Sequence, residues 1–351
     1  MRSHSAPAPA KPSSLAAMTL LTPSRILAAV LGSLVPLPAA EIVAEREGSV
    51  LRFSVEGRIV CDYQMEAGEV PQGVDPVFRH GAHLHPVYTP SGRIVTGNHP
   101  EDHRWHRGVW MAWTKTEFDG AEPDFWNMGK DAAKNAGQLS AEVRFVELAK
   151  AWSGEERAGF VSRHRFLDHS SGAERAVLDE TWEVGVASGV YDGVAANLID
   201  LVSIQTCASE HALRLPKFHY GGLGVRGNLA WNPVGAVTML TSEGHDREAG
   251  DATTAYWVHL GGIVDGLPVG LAVLIHPANF RFPQPLRLNP KNPQLCVAPS
   301  QGGDWAIEPG TPLVSRYRLV AFDGEPDPDW LEERWQDYAE SDVAPAGPAL
   351  R

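Results

Sequence analysis

Hydrophobic and polar residues alternate along most of the chain from residue 49 onward. Leu51, Phe53 and Val55 alternate with Arg52 and Ser54. Glu56-Gly57 then turns the chain, and Ile59, Cys61 and Tyr63 share one face of the next segment. A period of two on both sides of a Gly-containing turn predicts a β-hairpin. The same alternation recurs at 141–147, 160–167, 176–184, 198–205, 269–275 and 313–322. Within 176–184, Ala176, Leu178, Trp182 and Val184 fall on one side, and Asp179, Thr181 and Glu183 on the other. That is the pattern of a strand with one buried and one wet face. Turn clusters such as Ser170-Ser171-Gly172 and Tyr191-Asp192-Gly193 separate the runs.

One helix stands out near the C-terminus. Asp327-Pro328 reads as an N-cap followed by Pro at the first helical position. Leu331, Trp335 and Tyr338 follow at i, i+4 and i+7, a stripe suited to docking on a sheet. No repeat and no linker interrupts residues 45–340. Many strands, long loops and one terminal helix predict an all-β, mostly antiparallel fold: a large β-sandwich with one C-terminal helix. Residues 41–340 are expected to form this single catalytic domain, and residues 341–351 a flexible tail.

The first 40 residues break the pattern. Arg25 precedes the uncharged run ILAAVLGSLVPLPAA at 26–40, which ends in small residues. A run of this length fits the apolar part of an export signal, whereas a spanning helix needs about 20 residues. Residues 1–40 are therefore expected to be a signal peptide cleaved after Ala40, with Met18 as an alternative start and Pro38 an imperfect −3 residue. A periplasmic or secreted protein follows.

Composition narrows the partners. A hydrophobic fraction of 43% over 351 residues supports a large core, and 34 Gly and 27 Pro suit a loop-rich fold. The net charge of −13 argues against nucleic acid, because phosphate recognition needs a basic face. Beyond residue 40 no apolar run reaches 18 residues, so no membrane span is expected. Cys61, Cys207 and Cys296 are odd in number and lack C-x-x-C spacing, which excludes a disulfide scaffold.

The chemistry is concentrated in HGAHLHPVYTPSGRIVTGNHPEDHRWHRG, residues 80–108. Six of the chain's 14 His fall here: His80, His83, His85, His99, His103 and His106. Imidazole exchanges protons near neutral pH and binds metals. His103 and His106 stand in H-x-x-H spacing with Asp102 adjacent. No cofactor is expected, although a divalent metal on His103 and His106 remains open. The alternative is His beside a carboxylate as general acid or base. Downstream, TKTEFDGAEPDFWNMG (114–129) sets Lys115, Glu117, Asp124 and Asn127 among Trp113 and Trp126. Aromatic faces with carboxylates and amides suit sugar rings. PKFHYGGLGVRG (216–227) contributes His219, Tyr220 and Arg226, and His276-Pro277-Ala278-Asn279 ends an apolar strand. No G-x-S-x-G and no nucleotide-binding glycine motif is present.

The order of these motifs resembles a known family. TPSG (89–92), P-x-D-H-x-x-H-R-G-x-W (100–110), DFWN (124–127), YGG-x-G-x-R (220–226) and HP-x-N (276–279) follow one another as in the PmoA-like family of exported bacterial proteins. The resemblance covers residues 45–340. Many members have His where this chain has Trp105. The family takes its name from a methane oxygenase subunit that spans the membrane, a function that the lack of long apolar runs excludes here. The resemblance implies a galactose-mutarotase-like β-supersandwich and a carbohydrate, oligosaccharide or glycoside, as ligand.

Together these readings predict an exported carbohydrate-active enzyme that cleaves glycosidic bonds as a hydrolase or lyase. His103 or His106 would transfer the proton, Asp102 would orient it, and Glu117 or Asp124 would supply the opposing carboxylate. His219, Tyr220 and Arg226 would serve an elimination. His85, Arg107, Lys115, Asn127, Arg226, His276 and Asn279 would bind substrate, and Trp113 or Trp126 would stack on the ring. A sugar epimerase or mutarotase is one alternative, and a non-catalytic carbohydrate-binding protein another.

Overall fold

The alternation read from the sequence builds two large antiparallel sheets. The computed structural model describes residues 41–130 and 137–341. The expected signal peptide, with Met18 and the Ala40 cleavage point, lies outside the described residues, as does the expected tail beyond Ser341. Among the described residues the first sheet runs, edge to edge, Ile42–Glu47, Val50–Val55, Arg58–Gln64, His83–Val87, Val109–Ala112, Gly222–Arg226, Gln294–Val297, Gln284–Leu288 and Thr254–Ala255. The second runs Val237–Thr241, Trp257–Val264, Leu267–Ile275, Leu313–Asp323, Val194–Cys207, Arg175–Tyr191, Ala158–Asp168 and Ala141–Trp152. A ribbon pairs Leu213–Leu215 with Trp305–Ile307. The ladders are antiparallel throughout. The fold is thus the expected all-β sandwich with one C-terminal helix, Pro328–Ala339.

Side-chain alternation assigns the faces of the second sheet. Ile199, Leu201, Leu271, Val273, Tyr317 and Leu319 belong to the main core. Their neighbours Ala196, Leu198, Ala272, Leu274, Val320 and Phe322 form a separate cluster with Trp330, Leu331 and Tyr338 of the helix. Both faces are covered, which is why 269–275 reads as nearly unbroken apolar sequence. The helix starts where Asp327 accepts from the backbone N–H groups of Asp329 and Trp330. The Trp335 indole donates to the Ile275 carbonyl at 2.9 Å. Each large apolar side chain it buries stabilises the docking by roughly 1.5–3 kcal/mol.

The main core is not wholly apolar. Glu180 stands on the buried face of its strand between Leu178 and Trp182. Its Oε2 pairs with His164 Nδ1 at 2.8 Å, and its Oε1 accepts from Ser203 at 2.6 Å and Gln205 at 2.8 Å. His164 Nε2 meets the Tyr63 hydroxyl at 2.7 Å, and Gln205 Oε1 accepts the Trp113 indole N–H at 2.7 Å. Every member has a partner, the condition under which a buried polar network is tolerated. The three cysteines are free.

Gly222–Arg226 lies in the middle of the first sheet. A Cβ on Gly224 would fall 2.6 Å from the Trp110 ring and 2.7 Å from Trp126. Glycine is required here because two tryptophans, 4.7 Å apart by ring centroid, pack against the bare backbone. This places Arg226 at the end of the strand, where the His-rich loop crosses. Among the described residues no helix is long and apolar enough to cross a membrane.

Candidate functional site

The loop between His83–Val87 and Val109–Ala112 folds into tight turns. His99 N–H donates to the His106 carbonyl at 3.0 Å, and His106 N–H to the His103 carbonyl at 2.9 Å. Gly108 closes it at φ 37°, where a Cβ would lie 2.0 Å from the Leu84 carbonyl oxygen. The H-x-x-H pair is therefore neither helical nor extended. Its two imidazoles stack with centroids 4.5 Å apart and planes 22° apart.

Three chain segments converge on Asp102. Arg226 Nη2 donates to its Oδ1 at 2.8 Å and Arg226 Nη1 to its Oδ2 at 3.2 Å. Asn292 Nδ2 donates to Oδ2 at 2.7 Å, and His103 Nδ1 lies 2.9 Å from the same oxygen. Arg226 is fully buried and also donates to Asn232 Oδ1 at 2.6 Å. Burial alone would raise the Asp102 carboxyl, but Arg226 and then His103 outweigh it and hold it at about 2. Asp102 is thus a fixed carboxylate at neutral pH. Behind it, burial drives His106 well below its usual 6.5, and the charges of His103 and Arg226 add to the shift. His106 is neutral, with Nδ1 3.3 Å from Arg226 Nη1.

A carboxylate accepts, so His103 Nδ1 carries the proton of that bond and Nε2 of the neutral ring keeps its lone pair. Among the described residues Nε2 has no protein partner. His103 lines an open cavity of about 430 Å³ together with Glu101, Asp102, Asn232, Lys291 and Asn292. All six carry polar groups, although carbon makes up the larger part of the exposed lining.

The remaining expected site residues are distributed elsewhere. Asp124 Oδ1 accepts from the backbone N–H groups of Trp126 and Asn127, each at 3.0 Å. Asn127 Nδ2 lies 2.7 Å from Asp124 Oδ2 and 3.0 Å from the Tyr220 hydroxyl. This triad pins the DFWN turn and does not line the His103 cavity. Burial raises the Tyr220 phenol. Glu117 lines a separate cavity of about 520 Å³ with Asp119, Glu122 and Arg214, and Lys115 pairs with Glu122 at 3.5 Å. His219 is exposed and packs against Tyr220 with centroids 4.7 Å apart. Arg226 instead bonds Asp102 and Asn232, away from the hydrogen bonds of Tyr220.

The expected sugar platform needs correction. Trp113 is 1% and Trp126 2% exposed, so neither offers a ring face to a ligand. Arg107 is buried as well and does not line the His103 cavity. His85 Nδ1 is held by the Thr96 hydroxyl at 2.9 Å, and burial pushes its ring down to about 4. Asn279 pairs through its amide with the backbone N–H and carbonyl of Arg316, both at 2.8 Å. His276 packs edge-on against Tyr338 of the helix. Those two residues tie the turn after Leu267–Ile275 to the neighbouring strand Leu313–Asp323 and to the helix. His106 Nδ1 lies 3.3 Å from the Arg226 guanidinium, whose charge opposes a cation there. Among the described residues no group of three or more His, Cys, Asp or Glu is placed to hold a metal ion.

Glu101, Asn232, Lys291 and Asn292 were not singled out from the sequence. Glu101 lies within the P-x-D-H motif. Asn232 and Asn292 each precede a proline in a turn cluster, and only strand pairing across the sheet brings them to Asp102.

Fold and site define an antiparallel β-sandwich bearing an Asp–His–Arg cluster at the end of one sheet. Residues 51–336 match the model of a family of unknown function (DUF6807), and the chain belongs to that family. The family's description assigns no activity and does not mention the PmoA-like group. No curated protein matches the chain. Among solved structures the chain is similar to a GH36 α-galactosidase from Geobacillus stearothermophilus in complex with raffinose, at 10% identity and a TM-score of 0.31. That match covers 81% of this chain and 41% of the galactosidase, so the chain spans about two fifths of its length.

Proposed function

We propose that the protein is an exported carbohydrate-active enzyme that moves a proton with His103. One observation carries this reading: Asp102, itself locked by Arg226 and Asn292, holds His103 Nδ1 at 2.9 Å, and His103 lines an open cavity whose other lining residues all carry polar groups. A carboxylate that fixes one imidazole nitrogen sets the tautomer of the other, the arrangement a general base requires. Asn232, Asn292, Lys291 and Glu101 supply donors and acceptors for sugar hydroxyls.

The same geometry bears on the type of reaction. Hydrolysis needs two facing carboxylates about 5–10 Å apart. Asp102 is engaged by three partners, Glu117 and Asp124 do not line its cavity, and the other carboxylate there, Glu101, adjoins Asp102 in the same turn. A one-imidazole proton transfer, as in elimination or epimerisation, is therefore better supported. A binding module would present exposed tryptophan, which Trp113 and Trp126 do not provide.

The test is a panel of neutral and uronic-acid-containing oligosaccharides incubated in D₂O with the wild type and with His103→Gln. The wild type is expected to convert a panel member with deuterium entering the product. The variant is expected to lose about 10²–10⁴ in rate while retaining ligand binding. Unchanged turnover in His103→Gln would remove His103 from the mechanism. N-terminal sequencing of periplasmic protein tests export: a start at Glu41 supports it, and an intact N-terminus contradicts it.

A further inference from the structure

Arg107 is 1% exposed, and among the described residues neither its Nε nor its Nη2 has a hydrogen-bond partner. Its Nη1 faces only the Met128 thioether, at 4.0 Å. Burial pushes the guanidinium down to about 9, so it keeps its charge at neutral pH. The carboxylate whose charge bears on it is Glu180, and Glu180 is engaged by His164, Ser203 and Gln205. A buried cation without an ion pair is costly unless something else compensates it.

The neighbours of Arg107 are also unsatisfied. His80 is 6% and His83 2% exposed, and the Nε2 of each lacks a partner. Burial first, and then the charge of Arg107, hold both rings well below the usual imidazole range. His85 and His99 stand beside them, with Nδ1 held by the Thr96 hydroxyl and the Arg104 carbonyl. A buried guanidinium with two unpartnered donors, whose charge reaches two buried imidazoles that each keep an unpartnered nitrogen, calls for an acceptor that no protein group among the described residues supplies.

We propose that Arg107, with His80 and His83, binds a small monovalent anion of the halide class inside the protein. The anion accepts from Arg107 Nε and Nη2 and neutralises the buried charge. His83 Nδ1 donates to the Gly81 carbonyl at 3.2 Å, so Nε2 of the neutral ring carries a lone pair that would repel the anion. Protonating that nitrogen turns it into a donor. Anion binding therefore takes up a proton, and because burial and Arg107 hold His83 well below the usual imidazole range, it tightens only as pH falls into the acid range. The site is separate from the His103 cavity and stands whether or not the proposed catalysis does.

The test uses the full chain and chloride as probe. Melting temperature is measured in sodium chloride against sodium methanesulfonate at equal ionic strength, at about pH 5 and about pH 8. Chloride is expected to raise it by about 2–5 °C, more at the lower pH, and the shift is expected to vanish in Arg107→Gln. If Arg107→Gln does not fold, wild-type crystals grown in bromide decide through their anomalous map. A bromide peak within hydrogen-bond distance of Arg107 Nε and Nη2 supports the site. No halide-specific shift in the wild type, a shift equal at both pH values, or a map with no bromide at Arg107 overturns it.

Discussion

Asp102→Asn removes the charge that organises the candidate site while keeping its shape. Asp102 sits at about 2 against an ordinary 3.8, and each tenfold change in acidity is worth about 1.36 kcal/mol. The shift sets an upper bound of about 2.5 kcal/mol on the stability linked to its ionisation. The side chain is 39% exposed, and solvent screening reduces this to about 1 kcal/mol. The folded state depresses the value, so the stabilisation is present above about pH 4 and lost as pH falls from about 4 towards 2. Urea unfolding at about pH 6 should therefore place the variant about 1 kcal/mol below the wild type, and the gap should shrink by about half near pH 3. A variant as stable as the wild type at pH 6, or a gap that does not change with pH, would refute the assignment of Asp102 as the carboxylate partner of Arg226.

Other consequences are equally direct. Leu331→Ala empties a fully buried position beneath the C-terminal helix and should cost about 2–5 kcal/mol in chemical denaturation; a loss below 1 kcal/mol would mean that the helix is not docked as described. Gly224→Ala puts a methyl group 2.6 Å from Trp110 and should destabilise by about 1–3 kcal/mol, with a tryptophan fluorescence change that an exposed glycine would not give. Glu180→Ala leaves His164, Ser203 and Gln205 without their shared acceptor in the dry core and should cost about 3–5 kcal/mol; near-wild-type stability would contradict the network.

The strands that alternate strictly were legible in the sequence. The hairpin at Val50–Val55 and Arg58–Gln64, the long strands of the second sheet and the capped helix all follow from period and punctuation. Short strands such as Gly222–Arg226 and Gln294–Val297 were not, because their glycines and brevity carry no period-two signal and only tertiary packing makes them strands. Glu180 shows a subtler gap. It stands on the apolar side of 176–184, and a carboxylate in that position signals a buried network. At the site, Asp102, His103 and His106 were singled out together from residue type and spacing, whereas Arg226 was grouped with His219 and Tyr220, and the sheet brings it to Asp102 instead. Asn232 and Asn292 join them only through sheet pairing, which local pattern does not encode. The tryptophans misled because composition makes a Trp cluster look like a sugar platform, while the sheet geometry turns Trp113 and Trp126 inward.

The central claim is that the Asp102–His103 cavity receives a carbohydrate. Crystals soaked with a mixed panel of neutral and acidic oligosaccharides test it most directly. The account predicts a sugar among Glu101, Asn232, Lys291 and Asn292, with a hydroxyl or ring-carbon hydrogen within reach of His103 Nε2. Sugar bound only at other surfaces, with His103 Nε2 facing solvent alone, would contradict it.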